Sequence, residues 1–391
     1  MKTYKIYFVV GEPSGDLLAA RLIKALNEMD NVKFKFYGIG GEAMRAQGFK
    51  SLFDNSLLAR MGFFEVLPAV PKILRRIGQL IEDIKSVQPD IVVTVDSYSF
   101  AISVIKRIKQ AKIDAPIVHY VAPQVWAWRG SRVKKLKGLI DHLLTILPGE
   151  PKLFEGYVPA TFVGHPSIER CKIDKAQAQA LRAKYGIGRG DKLLCVLPGS
   201  RTSEVKYLLP VLTRTVNQLA KTNKNLYVVV PSVTTVAGKV AGAIRRWKLP
   251  TIMVMGEEDR YNAFVASDVA VAASGTVSLE LAVCKVPHII IYKVNRATAY
   301  LARKVLKIKY VNLINILQKR EIIPELLQEK CTPANIAAHI GILLNDDAAR
   351  GTQIKQATAA MQLLRNRDDI MPSQKAAAVI MQVLKDSGAK K

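Results

Sequence analysis

The chain has 391 residues, 49% of them apolar and 23% charged, which suits two medium globular domains and excludes a disordered chain. Its 58 Lys and Arg against 32 Asp and Glu give a net charge of +26, fitting nucleic acid, an anionic membrane surface or a phosphorylated substrate as partner. No zinc finger, RNA-module signature or basic tail beyond the closing "GAKK" supports nucleic acid, and no apolar run reaches the roughly 18 residues of a membrane span.

The first apolar run, "KIYFVV" (5–10), is too short for a signal peptide and enters a polar loop directly, so it reads as a strand. The loop that follows, "GEPSGD", carries Glu12, Ser14 and Asp16. A loop after a first strand commonly receives a phosphate, yet this one is acidic. Further strands are predicted at 33–38, 90–95, 116–121 and 142–147, with helical patterns between them. "GIGGEAMRAQGF" (38–49) is a second Gly-rich turn from strand to helix. In 61–87, Met61, Phe63, Phe64, Val66 and Leu67 lead into a helix with apolar residues at Ile73, Leu74, Ile77, Leu80, Ile81 and Ile84. That stripe suits a core face or a membrane-surface helix. Asp96 ends the 90–95 strand, where a carboxylate faces the ligand side of an open sheet or caps the next helix. His119, Gln124, Trp126, Trp128, Arg129 and Arg132 crowd the next strand and loop, suiting a sugar site with a substrate phosphate or a loop packed under its own aromatics.

A seam of turn residues near 163–174 precedes a second series of strands at 193–197, 226–230, 251–255, 269–273 and 288–293. The runs are near-continuously apolar and separated by helices, as in parallel sheets covered on both faces. After the first of them come Gly199, Ser200 and Arg201; after the fourth come Ser274, Gly275 and Thr276, each group opening a helix. Backbone N–H groups, hydroxyls and a guanidinium at such turns suit a pyrophosphate. Glu280 lies one helical turn beyond Thr276 and can reach ribose hydroxyls. The chain has neither a Walker loop nor a GxGxxG fingerprint, so a nucleotide-sugar donor fits better than ATP or NAD. Cys171, Cys195, Cys284 and Cys331 are scattered, with Cys195 and Cys284 expected as buried thiols and no zinc or other metal site. The expected architecture is α/β: two Rossmann-like domains facing across a cleft, at 1–168 and 169–345, with helices at 346–391 able to pack back on the first.

The motifs "GEPSGD", "GIGGEAM", "MGFFEVL", "YVAPQVWAWR", "FVGHP", "LPGSR" and "ASGTVSLE" occur in this order over about residues 5–330. Together they resemble lipid-A-disaccharide synthases. The resemblance implies a GT-B glycosyltransferase, inverting and free of cofactor and metal. It would join UDP-2,3-diacylglucosamine to 2,3-diacylglucosamine 1-phosphate (lipid X), giving the disaccharide 1-phosphate and UDP. It implies Asp96 as general base; if the base lies elsewhere, Glu12 and His119 are next in line. Gly199, Ser200, Arg201, Ser274, Gly275, Thr276, Glu280 and Asn312 would hold the UDP-sugar. Ser14, Asp16, His119, Gln124 and Arg129 would serve the acceptor, and Met61, Phe63, Phe64, Val66 and Leu67 the membrane. The partners would be the two lipid substrates and an anionic membrane surface, not nucleic acid, with a homodimer open to it and a place on the cytoplasmic face of the inner membrane. Pro13 and Val311 depart from the family pattern. Another UDP-sugar transferase, a UDP-GlcNAc epimerase-like enzyme, or a non-catalytic membrane-associated binding protein are the alternatives.

Overall fold

Nine-residue and shorter apolar strands joined by amphipathic helices bury both faces of a sheet at once, and the computed structural model contains two such assemblies. It describes residues 1–54, 66–123, 131–169, 174–273, 275–295, 299 and 309–388, with 66–70 and 131–132 described by backbone alone. Met61, Phe63, Phe64, Gln124, Arg129 and Ser274 lie outside the described residues, and of Val66 and Leu67 only the helical backbone is described. One compact unit comprises Met1–Pro166 with Leu364–Lys391, the other Ser167–Leu363.

The first unit runs β1 (Lys2–Val10), α1 (Pro13–Asn27), β2 (Val32–Ile39), α2 (Glu42–Arg45), α3 (Val66–Val87), β3 (Ile91–Val95), α4 (Tyr98–Gln110), β4 (Ile117–Tyr120), α5 (Ser131–Leu136), β5 (His142–Thr145), α6 (Glu150–Phe154) and β6 (Ala160–Phe162). Its sheet has the order β2-β1-β3-β4-β5-β6, every described pair parallel. Alternate residues of β1 serve opposite faces, as the pleat requires. Ile6, Phe8 and Val10 pack with Leu22 and Leu26 of α1 and with Ala376, Ile380 and Leu384 near the chain's end. Tyr7 and Val9 pack with Val104, Ile105 and Ile108 of α4. Ile77, Leu80, Ile81 and Ile84 of α3 join that second cluster, so this part of the apolar stripe is core, each side chain stabilising by roughly 1.5–3 kcal/mol. Leu74, by contrast, is exposed.

The second unit runs α7 (Lys175–Lys184), β7 (Lys192–Leu197), α8 (Thr202–Leu219), β8 (Leu226–Ser232), α9 (Ala237–Ile244), β9 (Thr251–Met255), α10 (Glu257–Ala266), β10 (Val269–Ala273), α11 (Val277–Val283), β11 (His288–Tyr292), α12 (Leu313–Gln318), β12 (Glu325–Leu327), α13 (Pro333–Asn345) and α14 (Asp347–Gln362). Its sheet order is β12-β11-β10-β7-β8-β9, the doubly wound Rossmann order. Leu194 and Val196 of β7 pack with Val205, Leu208 and Leu212 of α8 and with Ile336 and Ile340 of α13. The last helix, α15 (Pro372–Gly388), returns to the first unit and lies along α1. The short strands β6 and β12 were not predicted: each has three residues at a sheet edge and no apolar run to mark it. Cys195 and Cys331 are buried free thiols. Cys284, expected as a thiol, is instead held in a disulfide.

Candidate active site

In an open parallel sheet the ligand crevice forms beyond the carboxyl ends of the strands, where the winding reverses. In the second unit that point lies between β7 and β10, and a cavity of about 370 Å³ opens there. Its walls are the loop after β7 (Gly199, Ser200, Arg201, with Glu204), the end of β8 and the residue after it (Ser232, Val233), Arg260 of α10, and the start of α11 (Gly275, Thr276, Glu280).

The loop after β7 is bent at Gly199, whose φ is +108° and where a Cβ would come 2.5 Å from Glu204 Oε2; only glycine fits. Glu204 in turn accepts the Ser200 and Arg201 backbone N–H groups at 3.0 and 3.3 Å. The N–H cradle expected here for a phosphate is therefore occupied by the protein's own carboxylate, which reaches back from the first turn of α8 to the N-cap backbone. The Arg201 side chain is 79% exposed and its Nη1 donates to Glu204 Oε1 at 3.4 Å, a solvent-exposed pair that an anion would have to compete for. Across the cavity Glu280 is only 2% exposed, and Arg260 Nη2 lies 3.6 Å from its Oε2. Among the described residues no group of three or more His, Cys, Asp or Glu is arranged to hold a metal ion.

In the first unit the winding reverses between β1 and β3. The loops that leave these strands there meet: Ser14 Oγ donates to Asp96 Oδ2 at 2.7 Å. Asp96 is half-buried and does not cap α4; Ser97 holds that position. Both have left-handed backbones, with φ of +54° and +42°, a conformation that costs of order 1 kcal/mol or more per non-glycine residue. The Asp96 N–H is tied to the Tyr120 carbonyl at 2.8 Å. The sequence therefore maintains a strained turn that leaves the carboxylate outside any helix cap. Glu12 is exposed at the N-cap of α1 and makes no side-chain capping bond, and Pro13 takes the first helical position, where no N–H is needed.

The whole chain has relatives. A family model described as lipid-A-disaccharide synthetase matches residues 6–379. The chain belongs to the lipid-A-disaccharide synthetase family. The lipid-A-disaccharide synthase of Rhodospirillum centenum is 43% identical over 98% of this chain and 96% of its own. That of Paramagnetospirillum magneticum is 47% identical over 92% of each. Among solved structures, a Staphylococcus aureus MnaA–UDP co-structure superposes with a TM-score of 0.65, at 14% identity over 98% of this chain and 97% of the other. Acinetobacter baumannii MurG superposes at 0.59, with 13% identity over 97% and 99%. These neighbours have the GT-B fold, which this synthetase-family chain shares.

Within this family member, three residues expected as ligand contacts are committed to the protein itself. Asp16 is buried, and its carboxylate accepts the N–H groups of Gly41, Ala43 and Met44 at 2.7, 2.8 and 3.2 Å. It thereby pins "GEPSGD" to the Gly-rich turn at α2, and its acidity serves those donors rather than an acceptor sugar. Gly41 is obligatory because a Cβ there would sit 2.5 Å from Asp16 Oδ2. Asn312 is buried at the start of α12. Its Oδ1 accepts the Ile314 N–H at 2.8 Å and its Nδ2 donates to Ser278 Oγ at 2.6 Å. Ser278 pairs with His288 Nε2 at 2.7 Å, so Asn312 braces α11 from below and does not line the cavity. His119 is fully buried on β4, with Nδ1 2.7 Å from Thr94 Oγ1. Burial pushes its pKa down to about 4 against the opposing pull of Asp96, so it is a neutral ring and no cation for a phosphate. The cavity also contains residues that sequence reasoning missed. Ser232 was signalled only by a strand ending there, and Arg260 by nothing but one base in an acidic helix start.

Proposed function

We propose that this chain is an inverting glycosyltransferase that joins UDP-2,3-diacylglucosamine to 2,3-diacylglucosamine 1-phosphate, giving the β-1,6-linked disaccharide 1-phosphate and UDP. The observation that carries it is the family match over residues 6–379, which spans both units. The S. aureus neighbour that holds UDP supports reading the cavity of the second unit as the donor site.

The residues present suit each step. Asp96 accepts the proton of the acceptor's 6-hydroxyl, while the Ser14 hydrogen bond fixes which carboxylate oxygen is turned to it. The hydroxyl oxygen attacks C1 of the donor sugar from the face opposite UDP, the C1–O bond to the β-phosphate breaks, and its electron pair leaves with UDP. Inversion at C1 follows from that in-line path. The exposed Arg201 and the turn at Gly275–Thr276 suit the growing charge on the pyrophosphate. Both substrates carry acyl chains, and no described helix is long and apolar enough to cross a membrane. The chain would therefore act as a peripheral protein at the cytoplasmic face of the inner membrane. There Lys72, Leu74 and Arg75 on the exposed face of α3 suit an anionic surface, as does the apolar sequence of Met61, Phe63 and Phe64.

Purified protein incubated with both substrates in mixed micelles should yield disaccharide 1-phosphate and equimolar UDP, read by mass spectrometry. A folded protein that binds UDP but forms no disaccharide would exclude the transferase.

A further inference from the structure

A buried carboxylate needs a compensating charge or protonation, and the donor cavity contains one that a pyrophosphate would approach. Glu280 is 2% exposed and lines the cavity. Arg260 supplies charge, with Nη2 3.6 Å from Glu280 Oε2 and 4.0 Å from Glu257 Oε1. Its guanidinium carbon lies 5.1 Å from the Tyr261 ring centre and 6.0 Å from that of Phe264, and Nη2 lies 3.4 Å from the Tyr261 hydroxyl. The group is thus held on an aromatic shelf at the cavity wall.

Two features set it apart from an ion pair that only holds the fold. At 3.6 Å the contact is longer than a hydrogen bond, and Arg260 Nε is buried with no partner among the described residues. Ser232 Oγ, on the same cavity, is buried and unpartnered among them as well. Buried polar groups are almost always satisfied in folded proteins, so both residues of the cavity wall keep hydrogen-bonding capacity that the described protein atoms leave unused.

We propose that Arg260 is a positioning residue of the donor site, its guanidinium holding the Glu280 carboxylate toward the ribose diol of bound UDP. This rests on the reading of the cavity as the UDP site. Arg260 balances the carboxylate so that the nearby pyrophosphate is tolerated, and Nη2, steadied against the Tyr261 hydroxyl, is the charge that Glu280 Oε2 faces. Arg201 serves the phosphates from the opposite loop, so the two arginines act on different parts of the nucleotide.

The discriminating readout is the ratio of Kd for 2′-deoxy-UDP to Kd for UDP, measured by calorimetry on the full chain. A carboxylate held to the diol should make this ratio roughly tenfold or more in the unmodified protein. Glu280→Gln and Arg260→Met should each bring it to within about twofold of unity. Arg260→Lys, which keeps the charge without the fork, should fall between. Thermal unfolding of each variant establishes that it is folded. An Arg260→Met protein that binds UDP more weakly but keeps the full ratio would overturn the proposal, since general loss of charge or packing lowers both affinities alike. If Arg260→Met does not fold, an undiminished ratio in Arg260→Lys overturns it instead. Failure of the unmodified protein to bind UDP would refute the donor-site reading itself.

Discussion

Asp16→Asn separates a structural from a ligand-binding role in "GEPSGD". The carboxylate is 6% exposed and accepts three backbone N–H groups, from Gly41, Ala43 and Met44. Hydrogen bonds to a charged group contribute about 1.5–3 kcal/mol each. Asparagine retains one oxygen, which can keep the Gly41 and Met44 bonds to Oδ1, but turns an NH₂ group toward the Ala43 N–H. One charge-assisted bond is lost, the others weaken to neutral strength, and one buried donor faces another. The sum is a destabilisation of about 3–5 kcal/mol. Urea unfolding followed by circular dichroism reads this as an earlier transition at unchanged slope. The second unit gives the internal control, because UDP affinity should not move. An unchanged unfolding curve with turnover reduced a hundredfold would refute the reasoning and return Asp16 to the acceptor.

Acid should weaken the fold through two buried imidazoles. Burial holds His119 and His288 near pKa 4, against 6.5 for a free side chain, so the unfolded chain takes up these protons first. Their contribution is complete above pH 6.5 and is lost as pH falls toward 4, at about 1.4 kcal/mol per pH unit for each ring. His288→Gln should make the denaturation midpoint less steep between pH 6.5 and 4, and a slope equal to that of the unmodified protein would contradict this. Gly199→Ala should weaken UDP binding at least tenfold, since a Cβ at φ +108° strains the loop and the displaced Glu204 no longer fixes Arg201 beside the cavity; unaltered affinity in calorimetry would mean that the loop tolerates φ +108° without glycine. Phe63→Ser with Phe64→Ser should lower binding to anionic liposomes and leave the thermal transition in place, whereas loss of that transition would assign both rings to the core.

The fold was legible where the chain repeats one physical device. Ten strands were marked by apolar runs with turn residues behind them, and the residues that matter most to the site sit at the ends of those runs. Asp96 and the two Gly-containing loops of the second unit were singled out because a carboxylate or a glycine directly after a buried strand falls where an open sheet takes its ligand, and the fold sets Asp96, Gly199 and Gly275 just beyond the ends of β3, β7 and β10. What the sequence hid was direction. Asp16 and Glu12 stand four residues apart in one motif, at the first turn of α1 and its N-cap, yet one points inward to backbone donors and the other is exposed. Asn312 and His119 were read as contacts from their motifs, but each turns into a buried hydrogen-bonded pair whose partner, Ser278 or Thr94, is remote in sequence. Glu204 occupies the N–H groups expected to hold a phosphate, a competition visible only once the loop is folded. Arg260 lies on a helix three residues into an acidic start, with no local pattern tying it to Glu280 twenty residues on.

The most direct test of the account is the rate of disaccharide formation by Asp96→Asn beside its UDP affinity. The amide keeps the shape of the turn and the hydrogen bond from Ser14 but cannot accept the hydroxyl proton. Turnover should fall by roughly a hundredfold or more, as loss of a general base predicts, with UDP affinity unchanged. Near-normal turnover in a folded, UDP-binding Asp96→Asn protein would contradict the account and place the base elsewhere, with Glu12 the first alternative.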